Sequence, residues 1–441
     1  MTATIGRPEA PYASNAAAAP DSTPDRRQAA VRALGPVNAH DPRLPGRVVL
    51  LRADAAALPL PDESVDLVVT SPPYWAQRSY TDGGAHYAGQ LGDEPSPDAY
   101  VDRLVACTAE WARVIKPGGS IFVNLGDKYA ARANAGPSRA VSGRQDRAEC
   151  RPPHPPVTSF ARDKSLLGLP WRYALRCIGA GSALADPSVV KLLLADVAAG
   201  VVPLAVAEDL VDTLAATPAD GPRLILRAEI LWYKRNGMPE SVTDRVRRDH
   251  EHVFHLVKSA RHFAGIDAVR EPLSSASPEH DARRRGRGDV RLDLANGGRT
   301  STSNPLGKLP GSVWDIVTQP LTLPPHVAHA RCCAGQPSPG CGDGLGHYAA
   351  FPLELPRRAI AGWCPPAGVV LDPCGGTGTA ALVAAATGRT GISVDRSADY
   401  TDVIARWRTN DPAQVARALA VPVPAAPELT GQADLLAGIL P

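Results

Sequence analysis

Little net charge is available to this chain: Lys and Arg exceed Asp and Glu by only +2 over 441 residues. Any affinity for nucleic acid therefore has to come from local basic patches and not from the overall balance. A secretory leader is also missing, because Met1 to Pro20 lacks a basic head followed by an apolar core. The eight cysteines are accordingly expected as reduced thiols in a cytoplasmic protein. Long apolar runs are absent too. The most apolar region, 183–216, is interrupted by Asp186, Lys191, Asp196, Pro203, Glu208, Asp209 and Asp212, which excludes a membrane span. Paired C-x-x-C knuckles do not occur, so the donors Cys332, Cys333, Cys341, His326, His329 and His347 read as a metal-free loop. No internal repeat is visible.

What the chain does have is proline and glycine, 44 and 39 residues, many of them in its two ends and in suspected loops. Residues 1–46 carry Ala, Pro, Asp and Arg without periodicity and read as a disordered leader, and 411–441 as a Pro/Ala-rich tail. Between them one domain, 47–410, is expected. It divides into a first half (47–180 and 223–258), a helical insert (181–222), a basic segment (259–346) and a last block (347–410).

The stretch that organises the rest is Thr70-Ser71-Pro72-Pro73-Tyr74-Trp75, which follows the apolar run Asp66-Leu67-Val68-Val69. That run reads as a buried parallel strand, and two consecutive prolines must end it, since neither can donate to a ladder. A rigid loop at the C-terminal end of a strand is where open α/β sheets bind ligands. Downstream, Tyr100, Leu104, Val105, Thr108, Trp111, Ala112 and Ile115 recur at helical spacing, and Lys116-Pro117-Gly118-Gly119 is expected to stop that helix before a strand at 120–125. Further strands are expected at 224–234 and 252–258, and helices at 170–178, 355–364, 379–387 and 400–407.

A second loop, Asp372-Pro373-Cys374-Gly375-Gly376-Thr377-Gly378-Thr379, lies between the strand 369–372 and the helix that follows. Glycines there let backbone N–H groups approach a ligand, and the next strand ends at Asp395, where a carboxylate can accept from ribose hydroxyls. The chain nearly ends after that strand, so a Rossmann-like sheet can be completed only by the N-terminal strands 48–54 and 66–69. The fold class is thus an α/β, circularly permuted Rossmann-like sheet with helices on both faces, and its topology sets the two loops side by side at the switch point.

These residues resemble the site-specific DNA amino-methyltransferases that use S-adenosylmethionine, in the order where the catalytic loop precedes the cofactor loop. The resemblance covers roughly residues 47–410. It rests on Val69-Thr70-Ser71-Pro72-Pro73-Tyr74-Trp75, Ile115-Lys116-Pro117-Gly118-Gly119, Asn124-Leu125-Gly126-Asp127, Met238-Pro239-Glu240-Ser241-Val242-Thr243-Asp244-Arg245, His250-Glu251-His252-Val253-Phe254, Ser312-Val313-Trp314, Phe351-Pro352 and Leu371-Asp372-Pro373. It implies that Ser71 and the Pro72 carbonyl accept hydrogen bonds from a flipped-out base amine, with Pro73 and Tyr74 completing the catalytic loop and Tyr74 stacking on the base. It further implies that Phe351, Asp372, Cys374, Gly375, Gly376, Thr377, Gly378 and Thr379 surround the methionine end of S-adenosylmethionine, Asp395 the ribose and Asp54 the adenine.

Serine at 71 is similar to the cytosine-N4 branch, whereas Asp is usual in the adenine-N6 branch and Asn in the protein-glutamine branch. Cys374 departs from the family's aromatic, and Thr377 from its serine. The implied partner is duplex DNA, with a cognate restriction endonuclease as a further one, and Lys234, Arg245, Arg283, Arg284, Arg285 and Arg287 are the expected phosphate contacts. Competing readings are an adenine-N6 enzyme, a decayed scaffold that binds DNA without methylating it, and a methyltransferase acting on RNA or protein.

Overall fold

The computed structural model describes residues 41–77, 80–82, 85–130, 161–179, 195, 197–199, 203, 222–272, 306–330, 345 and 350–420. Among these, eight strands form one sheet: β1 (Arg47–Arg52), β2 (Val65–Thr70), β5 (Ile115–Leu125), β6 (Ile225–Tyr233), β7 (His250–Val257), β8 (Val313–Asp315), β9 (Val369–Asp372) and β10 (Thr390–Asp395). A separate two-stranded ribbon, β3 (Thr81–Asp82) and β4 (Ala85–His86), lies outside it. Across the sheet the order is β1-β10-β9-β2-β5-β7-β6-β8. Strands β1, β10, β9, β2 and β5 are mutually parallel, while β7 runs antiparallel to both β5 and β6. Counted from β9, the strands run third, second, first, fourth, fifth, seventh, sixth, which is a permuted Rossmann-like sheet with β8 added at one edge. The order reverses between β9 and β2. That neighbour pair brings the two loops together, as the sequence pattern requires.

Period-two alternation divides the core into two layers. Val68, Ile121, Val123 and Leu256 face a cluster with Leu104 and Trp111 of α1 (Pro97–Val114) and Tyr173 of α2 (Leu169–Cys177). Leu67, Val69 and Phe122 face the opposite cluster, with Ile360 and Trp363 of α3 (Glu354–Trp363) and Leu382 and Val383 of α4 (Thr379–Ala386). Helix α1 begins where the sequence says it must. The Ser96 side chain accepts from the Ala99 N–H at 3.1 Å, Pro97 occupies the first turn, and Asp98 meets the positive end of the helix dipole.

Several bounds differ from those expected. The Lys116–Gly119 segment is part of β5 and not a loop. Val65 pairs Ile115 while Leu67 pairs Ser120, so the ladder slips and the extra residues are absorbed as an irregularity inside the strand. Order starts before residue 47, because Leu44 is buried and the Gly46 N–H donates to the Ala385 carbonyl. It continues past 410 into α6 (Pro412–Ala420), which buries Val415 and Ala418. The expected helix at 400–407 is a π-helical segment, Asp399–Ala405, followed by α5 (Arg406–Asn410). Part of the basic segment also joins the sheet, since β8 pairs with β6. The helical insert falls almost wholly outside the described residues, as do Cys332, Cys333, Cys341 and Arg283, Arg284, Arg285 and Arg287. No helix among the described residues is long and apolar enough to cross a membrane.

Candidate active site

The loops after β2 and β9 open into one cavity of about 720 Å³. Its walls include Asp54, Ser71, Pro72, Pro73, Tyr74, Lys234, Phe351, Asp372, Cys374, Gly375, Gly376, Thr377, Thr379 and Asp395, so residues far apart in the chain meet in one space. The two loops are joined at their base: Thr70 Oγ1 donates to Asp372 Oδ1 at 2.7 Å across the β2–β9 pair.

On the β9 side the chain wraps tightly. Residue 375 has no room for a side chain, since a Cβ there would sit 1.9 Å from Ser393 Oγ, so glycine is required. The Asp395 carboxylate accepts from the Gly376 N–H (3.0 Å) and the Ser397 N–H (2.9 Å), which ties the end of β10 to the glycine loop. Burial raises Asp395 to about 6 despite those donors. Asp372, more deeply enclosed, is raised by burial to about 7 against the pull of Thr70 and the Cys374 N–H. Burial and the nearby Asp372 push the Cys374 thiol well up, so it stays protonated and unreactive. Asp54 lies at the rim, accepting from the Ala56 N–H at 2.9 Å with Arg396 Nη1 3.7 Å away. Phe351 is buried and contributes an apolar wall.

On the β2 side the double proline is pinned from outside. Trp75 is fully buried and its indole N–H donates to the Glu94 carbonyl at 2.8 Å, while the Tyr100 hydroxyl donates to the Pro73 carbonyl at 2.9 Å. No donor among the described residues reaches the Pro72 carbonyl. Tyr74 lies against Gly126, where a Cβ would come within 2.7 Å of its Cε2. The Tyr74 hydroxyl lies 3.3 Å from Ser71 Oγ, accepts from Asn124 Nδ2 (2.9 Å) and donates to Glu251 Oε2 (2.8 Å). Asn124 Nδ2 also reaches Ser71 Oγ (3.3 Å) and Glu251 Oε2 (2.8 Å), and Asn124 Oδ1 is buried without a partner among the described residues.

Lys234 Nζ closes the network on Glu251 Oε1 and lies 4.3 Å above the Trp232 ring. Burial pushes Glu251 up, but Lys234, Asn124 and Tyr74 outweigh it and leave the carboxylate below its usual range. Burial and that charge keep Tyr74 a phenol.

The sequence pattern does not single out Asn124 and Glu251 as site residues, although both lie inside short motifs that carry the family resemblance. Lys234, expected at phosphates, is instead engaged by Glu251 inside the cavity. Arg245 is paired with Glu240 at 2.7 Å and packs 4.0 Å over the Tyr129 ring.

A permuted Rossmann-like sheet, with a switch-point cavity joining a glycine loop and acids to a polar tetrapeptide, defines a nucleoside-cofactor-dependent transferase. The family model described as DNA methylase, covering N6 and N4 enzymes, matches residues 65–406, and the chain belongs to that family. It is 26% identical over 357 residues to the type II methyltransferase M.SmaI of Serratia marcescens, covering 81% of this chain and 88% of that one. It is 30% identical over 346 residues to M.XycI of Xanthomonas campestris pv. cyanopsidis, covering 78% and 82%. Among solved structures, the PvuII DNA methyltransferase (cytosine-N4-specific) superposes with a TM-score of 0.47 at 17% identity, over 87% of this chain and 92% of that one. The protein is thus an S-adenosylmethionine-dependent DNA amino-methyltransferase. The donor set suits that cofactor, because two carboxylates, the buried Asp372 and the half-buried Asp395, line the part of the cavity formed by the glycine loop.

Proposed function

We propose that this enzyme methylates the exocyclic N4 amine of cytosine in duplex DNA. The observation that carries the reading is Ser71: a neutral hydroxyl heads the tetrapeptide, and it lies within reach of the Asn124 amide and the Tyr74 hydroxyl. An exocyclic amine is conjugated with its ring and is a poor nucleophile. Hydrogen bonds accepted from it by Ser71 Oγ and by the Pro72 carbonyl localise its lone pair.

S-adenosylmethionine supplies the sulfonium methyl group. The protein supplies position: the β2–β9 pairing holds the acceptor loop beside the glycine loop, so attack is direct, with no covalent enzyme intermediate. Glu251 and Lys234 keep the Tyr74 hydroxyl and the Asn124 amide in one arrangement, which presents the Tyr74 ring to a base flipped out of the helix. In this reading Phe351 and Cys374, with the run from Gly375 to Thr379, surround the methionine end, Asp395 holds the ribose and Asp54 the adenine. Arg245 contributes a phosphate contact. The type II names of the relatives support a cognate restriction endonuclease as biological partner.

The test is incubation with labelled S-adenosylmethionine and mixed-sequence duplex DNA, digestion to nucleosides and mass spectrometry. N4-methylcytosine, lost in Ser71→Ala, is the expected product. N6-methyladenine would overturn the base assignment. Absence of any labelled nucleoside, despite bound cofactor and DNA, would favour the decayed scaffold or a substrate other than DNA.

A further inference from the structure

The catalytic reading leaves one buried charge unexplained. Arg408, on α5, is only 5% exposed. One terminal nitrogen of its guanidinium donates to Thr377 Oγ1 (2.7 Å) and to Thr379 Oγ1 (2.6 Å). Its Nε is buried and has no acceptor among the described residues. Among the described residues no carboxylate pairs with it. A guanidinium withdrawn from water without a counter-ion is costly. Burial, with Arg417 nearby, brings its pKa down only to about 10, so the charge persists at neutral pH.

The polarity of the contacts says what the charge is for. Guanidinium is a donor only, so each threonine hydroxyl spends a lone pair on Arg408. The two hydroxyls are 3.0 Å apart, so when one donates to the other, a single proton is left to give elsewhere. Both threonines line the cavity. Thr379 also begins α4, whose first N–H groups have no partner within the helix. One spot of the cavity wall therefore combines an uncompensated cation behind it, a hydroxyl proton in front and a helix N-terminus. Each of these favours an anion, and the anionic group of S-adenosylmethionine is the α-carboxylate of its methionine end.

We propose that Arg408 is the counter-charge for the cofactor carboxylate, acting through the hydroxyls of Thr377 and Thr379. It is a positioning residue, and through it the site distinguishes a cofactor with an intact amino-acid tail from one without. The inference depends on the cofactor and not on which base is methylated.

Calorimetry with two ligands tests it: S-adenosylhomocysteine, and the same thioether lacking only its carboxylate. The wild-type enzyme is expected to prefer the carboxylate-bearing ligand by about 10- to 100-fold, the worth of a hydrogen bond to a charged group. Arg408→Gln should erase most of that preference while leaving affinity for the carboxylate-free ligand unchanged or improved. Thr377→Val, which keeps the charge, should erase part of it. Equal wild-type affinities would overturn the proposal, and that outcome needs no variant to fold. A parallel loss of both ligands in a folded Arg408→Gln enzyme would overturn it as well, since that is the mark of a structural role alone.

Discussion

On the cofactor side of the cavity, the loop from Asp372 to Thr379 is one contiguous stretch, held by Asp395 at the end of the adjacent strand. On the target side, Ser71, Asn124, Glu251 and Lys234 come from the ends of β2, β5, β7 and β6, four successive neighbours in the sheet, one residue from each. The first is a backbone device, in which glycine and peptide N–H groups do the holding. The second is a side-chain device whose geometry exists only while four strands keep their register. In a β-ladder a slip of one residue would turn Glu251 to the opposite face. Substitutions should therefore damage the two sides differently: cofactor affinity fails on one, turnover on the other.

The largest effect is expected at Gly375. A methyl group there collides with Ser393 Oγ and must push the loop off β10, so Gly375→Ala should weaken S-adenosylmethionine binding by about 100-fold or more and cost about 1–3 kcal/mol of stability. Calorimetry and thermal unfolding measure the two. Unchanged affinity would mean that the loop does not hold the cofactor.

Ser71→Ala comes next and should show the opposite split. Loss of one hydrogen-bond acceptor at the reacting amine should lower turnover by about 10²- to 10³-fold, comparable with deleting one preorganised group, while cofactor affinity stays within about two-fold. Single-turnover kinetics beside calorimetry would expose a failure of that separation. Glu251→Gln should lower turnover less, by about 10- to 100-fold, because it loosens Tyr74 without touching the amine. Adding Lys234→Met to Glu251→Gln should cost less than the sum of the single changes, since Glu251→Gln alone strands the Lys234 charge. Strict additivity would show that the two residues do not act as a pair.

The same contrast explains what was legible beforehand. Two prolines after a β-branched run, and glycines between a strand and a helix, announce loops whose backbone cannot do otherwise. The shortage of remaining strands after Asp395 then forces the permutation. Asn124 and Glu251 lie inside motifs of the resemblance, yet their role gives no local signal, because a polar residue near a strand end reads the same whether it faces solvent or a network four strands wide. Arg408 is hidden for a different reason. Tyr400, Ile404 and Arg408 recur every four residues, so an arginine falls on an apolar stripe, but the π-helical segment through 399–405 shifts the periodicity by which that stripe would be read. The slip at Lys116–Gly119 is not legible in the sequence, because Pro and Gly read as punctuation, whereas here they ride within a strand.

The smallest effect expected is also the most specific to the cofactor side. Asp372 and Asp395 have pKa values raised to about 7 and about 6, so near neutrality each is partly protonated before the cofactor arrives. A pKa raised on folding means that the folded chain holds protons the unfolded chain has released. For these two groups, stability without cofactor falls as pH rises from the ordinary carboxylate value of 3.8 to the raised values of about 6 and about 7, and levels off above them. Binding has the opposite sign, because the sulfonium cation prefers the ionised carboxylates. Affinity for S-adenosylmethionine should therefore climb between about pH 5 and pH 7 and then level off, while the uncharged thioether of S-adenosylhomocysteine responds less. Their affinity ratio should widen by about 3- to 10-fold over that interval. Asp372→Asn should flatten most of the change, since Asp372 is the group still titrating near neutrality. A ratio that does not move with pH in the wild-type enzyme would mean that neither carboxylate senses the sulfonium, and their burial would then have to be explained by Thr70 and the Gly376 N–H alone.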